Sequence, residues 1–190
     1  MEEALGTGHM FAPGRVRRRG GRACNLRHLS IDQEPKMPSR RASIALTPAE
    51  QEQFIADGWT LQVASMGPHG YPHLVAMWYV VADGDIHFTT FRKSQKILNL
   101  RRNPKLSVML ESGKLYNELK GLVIEGTAEL IDDVAYTARV MSLVGNKYQG
   151  MPIPTETPEA ALGPAAKRTT VRVRVDDIYS WDHSKLGGRY

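Results

Sequence analysis

The sequence predicts a mainly β domain, six antiparallel strands that close on themselves into a barrel with a few short flanking helices. Three observations carry that expectation. Runs rich in β-branched and aromatic residues are joined by short turns of glycine, proline and aspartate, the pattern of an antiparallel meander. One run, Leu74–Val81, is apolar on both faces: Leu74, Ala76, Trp78 and Val80 on one, Val75, Met77, Tyr79 and Val81 on the other. Strand side chains alternate with period two, so both sides need cover, one of them from a barrel interior. A late run alternates Val171, Val173 and Val175 with Arg172, Arg174 and Asp176, so that strand meets water on one side.

Each element has a local cause. Thr47-Pro48-Ala49-Glu50 opens a helix: Thr caps, Pro takes the first position and Glu reaches back to the cap amide, with Gly58 as the stop. A strand over Thr60–Met66 leads through Gly67-Pro68-His69-Gly70 to a second over Pro72–Val81. Ala82-Asp83-Gly84-Asp85 turns it into a third, Ile86–Thr90. Ser94 caps a short helix, Gln95–Arg102, that Asn103-Pro104 ends. Strands over Lys105–Glu111 and Leu119–Ile131 follow. Asp132 and Asp133 then open a helix carrying Val134, Ala138, Met141 and Val144 as far as Gly145. Residues 146–164, rich in proline and glycine, are expected to be a long loop, functional or mobile. The last strand is Thr169–Trp181.

Composition sets the outer bounds. The chain of 190 residues is long enough to bury a core of its own. Its net charge of +5 lies wholly in residues 1–41, where nine basic residues face four acidic ones, and residues 42–190 balance at 16 of each sign. Residues 1–41 are therefore expected to be a basic, disordered extension with no assigned function, and 42–190 the folded domain. Met37 offers an internal start ahead of the first helix signal, which puts translation of residues 1–36 in question. No run approaches the roughly 18–20 apolar residues that span a bilayer, so no membrane partner is expected, and none of nucleic acid. The single cysteine, Cys24, excludes an internal disulfide framework and fits a reducing, cytoplasmic setting. His69, His73, His87 and His183 form no metal-ligand pattern, so no metal is expected.

The densest chemical signal is Thr89-Thr90-Phe91-Arg92-Lys93-Ser94-Gln95-Lys96. A strand ends there, hydroxyls and three cations gather, and a helix begins. Free amides at a helix N-terminus and the helix dipole favour an anion. Cations in the same place are unfavourable unless an anion offsets them, so Arg92, Lys93 and Lys96 point to a bound phosphate; the alternative is a solvated basic helix cap beside Arg101 and Arg102.

The order of these parts resembles the flavin-binding split-barrel superfamily, which includes the pyridoxamine phosphate oxidase-like proteins. It is most similar to the branch of oxidoreductases that use the deazaflavin coenzyme F420. The segments carrying the likeness are Gly70-Tyr71-Pro72-His73-Leu74-Val75 with Met77-Trp78-Tyr79, Thr89-Thr90 with Lys93-Ser94-Gln95-Lys96, Asn99-Leu100-Arg101-Arg102-Asn103-Pro104, and Gly121-Leu122-Val123-Ile124-Glu125-Gly126-Thr127-Ala128. They span about residues 42–180. The resemblance implies that the backbone of Val75, Ala76, Met77 and Trp78 lines the edge of the cofactor's tricyclic ring. Thr89, Thr90 and Phe91 would flank its ribityl chain, and Arg92, Lys93, Ser94 and Lys96 its phosphate.

It also implies a homodimer with the cofactor in the subunit groove, Tyr116 and Glu118 approaching from the other subunit, and Trp181 closing the site. The implied activity is hydride transfer from reduced F420 to an electron-poor small organic molecule, with no catalytic side chain marked by the sequence. The alternatives are an FMN-dependent oxidase or reductase and a non-enzymatic flavin or haem binder. The vitamin-processing oxidases of this superfamily end in an Arg-Leu-x-Pro segment, whereas this chain ends Trp181-Asp182-His183-Ser184-Lys185-Leu186 before its last four residues. That departure argues against pyridoxamine phosphate oxidation.

Overall fold

The computed structural model describes residues 40–187; the basic extension expected over residues 1–41 lies outside them except for its last two positions. A short turn of helix, α1 (Arg40–Ser43), precedes α2 (Pro48–Asp57), where both halves of the expected capping box form. Glu50 in that box also accepts from Lys185 Nζ at 2.6 Å, and the ammonium holds its carboxyl down to about 2. The strands are β1 (Leu61–Met66), β2 (Pro72–Met77), β3 (Val80–Ala82), β4 (Asp85–Phe91), β5 (Lys105–Ser112), β6 (Lys120–Ile131) and β7 (Arg168–Asp182). Helix α3 (Gln95–Arg102) follows β4, and α4 (Val134–Gln149) and α5 (Glu159–Ala166) lie between β6 and β7. Among the described residues, no helix is long and apolar enough to cross a membrane.

All strand pairs are antiparallel, and the sheet order is β2-β1-β5-β6-β7-β4-β3. The sheet therefore has seven strands where the sequence predicts six. The difference is local. The expected strand Pro72–Val81 breaks at Trp78-Tyr79, its first part pairing with β1 and its second with β4. One segment thus supplies both outer strands of the sheet. Three Cα–Cα steps from Met77 to Val80 span at most about 11 Å. The two edges must lie that close, and a seven-stranded sheet meets the condition only by curling into a half-barrel.

The break also shifts the face pattern. Leu74 and Trp78 are exposed, and Val75 and Met77 pack towards the core, as the alternation requires. Tyr79 and Val80 are then both buried and Val81 is exposed, so Val80 does not share the face of Trp78. Two successive inward side chains mark the bend at which the strand leaves one edge for the other.

Inside the curl, Leu61, Val63, Ile86, Phe88, Val108, Leu122, Ile124, Val171 and Val173 form the core. Helix α3 plugs one end with Ile97 and Leu100, both fully buried. At Glu125/Gly126 a bulge re-aims β6, and Gly126 is required there, since a Cβ would stand 2.3 Å from the Arg174 carbonyl oxygen.

Helix α4 runs past Gly145, where the sequence predicts its end, and stops at Gly150 in a left-handed conformation, φ +65°. The expected loop over residues 146–164 is consequently shorter: a strap over 150–158, then α5, whose alanines outweigh the break that Pro164 suggests. The extra turn of α4 carries Tyr148 to the bend in the outer strand. Its hydroxyl accepts from Tyr79 N–H at 3.1 Å and donates to the Trp59 carbonyl at 2.7 Å. Its ring stacks on Trp78, centroids 4.6 Å apart and 7° from parallel, and meets Trp59 edge-on. Tyr79 in turn donates its hydroxyl to the Ile55 carbonyl, tying α2 to the same point. These hydroxyl bonds are half-buried or exposed, and a typical intramolecular hydrogen bond contributes about 0.5–1.5 kcal/mol net. Tyr148→Phe keeps the stacked ring and is expected to lower the unfolding free energy by about that amount in urea titrations, with an unchanged m-value.

Candidate functional site

The corner between β4 and α3 forms as expected, but its cations have different tasks. Ser94 caps α3 by position while its side chain makes no capping bond, so the helix's first amides are not covered by it. Lys96 is half-buried, and its Nζ donates to Thr90 Oγ1 at 3.0 Å. Burial pushes its pKa down, and among the described residues no carboxylate forms an ion pair with it. Lys93 is exposed and likewise unpaired among them. Arg92, by contrast, is a brace: it donates to the carbonyls of Arg168 and Asp132 at 2.9 and 2.8 Å and stands 3.8 Å from the Asp132 carboxylate. The corner therefore holds two lysines without acidic partners beside uncapped amides. A cofactor phosphate matches that donor set.

A groove of about 1040 Å³ lies alongside. Ala76, Met77, Trp78 and Thr89 line it from the barrel, Ala138, Met141, Ser142, Val144, Gly145 and Gln149 from α4, and Met151, Pro152 and Pro154 from the strap. Of the residues expected at a ring, Ala76, Met77 and Trp78 stand in the groove, while Val75 packs against the core. Strand β2 is an outer strand, so the outer backbone groups of this segment have no strand partner to occupy them. Phe91 is exposed and carries the Arg168 guanidinium 4.4 Å above its ring. Arg168 also lines the groove and pairs in register with Phe91, which connects groove and corner.

Arg168 and the α4–strap wall were not among the residues expected from sequence. The apolar spacing of Ala138, Met141 and Val144 was the available signal for the wall. Arg168 precedes the alternating part of the last strand and carried no comparable mark.

Tyr116, Glu118 and Trp181 stand elsewhere. Trp181 is eleven residues along β7 from Thr170, the partner of Thr89, on the order of 35 Å of strand. It covers Gly121, whose missing side chain makes room for the indole. The Glu118 carboxylate accepts from the backbone N–H groups of Lys114 and Leu115, and the Tyr116 carbonyl is bonded to the His183 ring. Within one chain these three do not meet the groove residues.

A polar network fastens the start of α4 to the barrel beside this groove. Buried His87 donates from Nδ1 to the Asp85 carbonyl at 3.0 Å, and its Nε2 accepts from Arg172 Nε at 3.0 Å. Tyr136 on α4 accepts from Arg172 at 2.9 Å and donates to Asp83, which Arg139 holds in a two-pronged pair at 3.1 and 3.2 Å. Burial first, and then the Arg172 charge, hold the His87 pKa below its ordinary value. A depressed base favours the folded state fully above its unfolded pKa of about 6.5 and loses that contribution as pH falls towards the folded value. Thermal stability is expected to decline below pH ~6.5 in a differential scanning calorimetry series, and His87→Gln to flatten that slope.

A curled antiparallel half-barrel, with a groove along its bent outer strand and a basic corner at its end, defines a split barrel of the flavin-binding type. Residues 47–182 match the family model described as pyridoxamine 5'-phosphate oxidase, and the chain belongs to that family. Among solved structures it is similar to the conserved hypothetical protein Rv2991 from Mycobacterium tuberculosis, at 39% identity over 80% of this chain and 95% of that one, TM-score 0.72. An F420 reductase shares the fold at 23% identity, covering 67% and 94% of the two chains, TM-score 0.51. So does HutZ, the haem storage protein from Vibrio cholerae, at 18% identity, 70% and 94% coverage and TM-score 0.55. No curated protein matches the sequence.

Proposed function

We propose that this protein is an oxidoreductase that holds reduced coenzyme F420 in the groove and passes its hydride to an electron-poor small organic molecule. The observation that carries the proposal is Lys96, half-buried and, among the described residues, hydrogen-bonded only to Thr90, next to Lys93 and the uncapped start of α3. A half-buried ammonium without an acidic partner is costly until an anion joins it. The likeness to an F420 reductase supports the deazaflavin among the cofactors that such a corner accepts.

In this reading Lys93, Lys96, Ser94 and the first amides of α3 hold the phosphate, with Thr89 and Thr90 beside the adjoining chain. The open backbone of Ala76–Trp78 takes the polar edge of the ring. When bound, the reduced deazaflavin supplies a hydride, and a proton from water completes the two-electron reduction of the substrate. The protein's own part is to fix the ring against β2, keep water from the apolar wall and set the reacting atoms within about 3–3.5 Å of each other. The exposed Leu74 and Trp78 on the outer strand support a homodimer in which a second copy covers that face, and its test is the oligomeric state in solution.

The Lys93→Ala/Lys96→Ala double variant is expected to weaken F420 binding at least about 100-fold by fluorescence titration, while its melting temperature stays within a few degrees of wild type. Unchanged affinity would remove the phosphate assignment. Tighter binding of FMN than of F420 by the wild-type chain would transfer the site to a flavin oxidase or reductase. Cofactor binding without turnover of any acceptor would make the chain a carrier.

A further inference from the structure

The groove is chemically uneven. Among its lining residues the one charged side chain is Arg168, on β7. The stretch from Ala138 to Ala161 supplies most of the remaining wall, and every side chain it presents there is uncharged. That stretch does contain charges, each used elsewhere. Arg139 pairs with Asp83 at 3.1 Å, and Lys147 lies 3.9 Å above the Tyr79 ring. Glu156 lines a separate recess of about 180 Å³ together with Arg139, and Glu159 sits exposed in the first turn of α5.

The wall is also built rather than loose. Met151 donates its N–H to the Gly145 carbonyl at 3.3 Å, and Asn146 Nδ2 donates to the Met151 carbonyl at 2.8 Å. The Met151 side chain lies over Gly145, where a Cβ would come within 3.2 Å of its sulfur. Both ends of the residue's backbone are thus tied to α4, and its thioether joins that of Met141 on the groove surface. Thioether side chains adapt to irregular apolar ligands. At about 1040 Å³ the groove stands at the upper end of small-molecule sites, roughly 300–1,000 Å³, and has space for a second molecule beside a cofactor.

We infer that the Ala138–Ala161 wall is the acceptor subsite, that it selects an uncharged, predominantly apolar small molecule, and that Met151 is a specificity-determining contact. The inference rests on the oxidoreductase proposal for the word acceptor, but its selectivity follows from the wall alone. A carboxylate set against this wall loses hydration and finds no cation there to offset its charge. The wall's polar side chains are Ser142, whose hydroxyl donates to the Ala138 carbonyl at 3.1 Å, and the uncharged amide of Gln149. A neutral ring of the same shape loses nothing comparable and gains the apolar contact.

Two probes of matched shape test it, 2-acetylnaphthalene and 2-naphthoate, titrated calorimetrically into the full chain with and without F420. The neutral ketone is expected to bind at least tenfold more tightly than the carboxylate. Met151→Lys places a cation in the wall and is expected to raise naphthoate affinity at least tenfold relative to the ketone. Met151→Leu is expected to keep the original preference, which separates charge from loss of shape. Equal affinities for the two probes, an unmoved ratio in Met151→Lys, or no binding of either probe overturns the inference. If F420 binds through the two lysines and the ratio does not move, the subsite fails alone. If the ratio moves while the two-lysine variant keeps its F420 affinity, the cofactor assignment fails and the selectivity stands.

Discussion

One chain segment supplies both edges of the sheet, and the rest of the architecture follows from that constraint. The backbone between β2 and β3 leaves one hydrogen-bonded ladder and has not yet joined the other, so its polar groups need partners from outside the sheet. Tyr148 meets that need at Tyr79, whose N–H and carbonyl both bond its hydroxyl. The same hydroxyl ties in the Trp59 carbonyl ahead of β1, and its ring supports Trp78 from one side. Closing the barrel and fixing one wall of the groove are therefore a single event. The helix that completes the seam also carries Met141, Val144 and Gly145 into the groove.

The electrostatics divide along the same line. Around α4 the charges satisfy one another: Asp83 with Arg139, Asp85 and Glu129 with Arg172 and Arg174, and neutral His87 at the centre. At the β4–α3 corner, Arg92 and Arg101 are taken by Asp132, which leaves Lys93 and Lys96 for something that is not part of the described chain. Like charges gathered at a helix N-terminus run against the dipole. An arrangement that satisfies acids and bases elsewhere but leaves two lysines together here is what an anionic ligand makes favourable.

Much of the scaffold was legible because its signals are local. Thr47 to Glu50 encode a capping box within four residues, and the glycine turns around Asp83 and Gly70 set the meander. Thr89 to Lys96 announced the corner through the coincidence of a strand end, a helix cap and basic side chains. What stayed hidden depends on distant parts of the chain. The split of Pro72–Val81 into two strands arises from sheet closure, which no periodicity within ten residues reports. The helix past Gly145 persists because Met151 folds back over the glycine, and propensity alone favours a stop there. Arg92 was expected at the phosphate and Arg168 carried no mark in the sequence, yet one is a brace to Asp132 and the other a groove residue above Phe91. Only tertiary contacts tell them apart.

The central claim is that an anion sits at the Lys93–Lys96 corner while a planar ring lies along Ala76–Trp78. A crystal structure of the full chain grown with F420 tests it most directly. The expected result is phosphate density within hydrogen-bonding distance of Lys96 and the first amides of α3, with the ring in the groove against the outer strand. A corner filled by side chains of a second copy, or a cofactor held anywhere else, would contradict it.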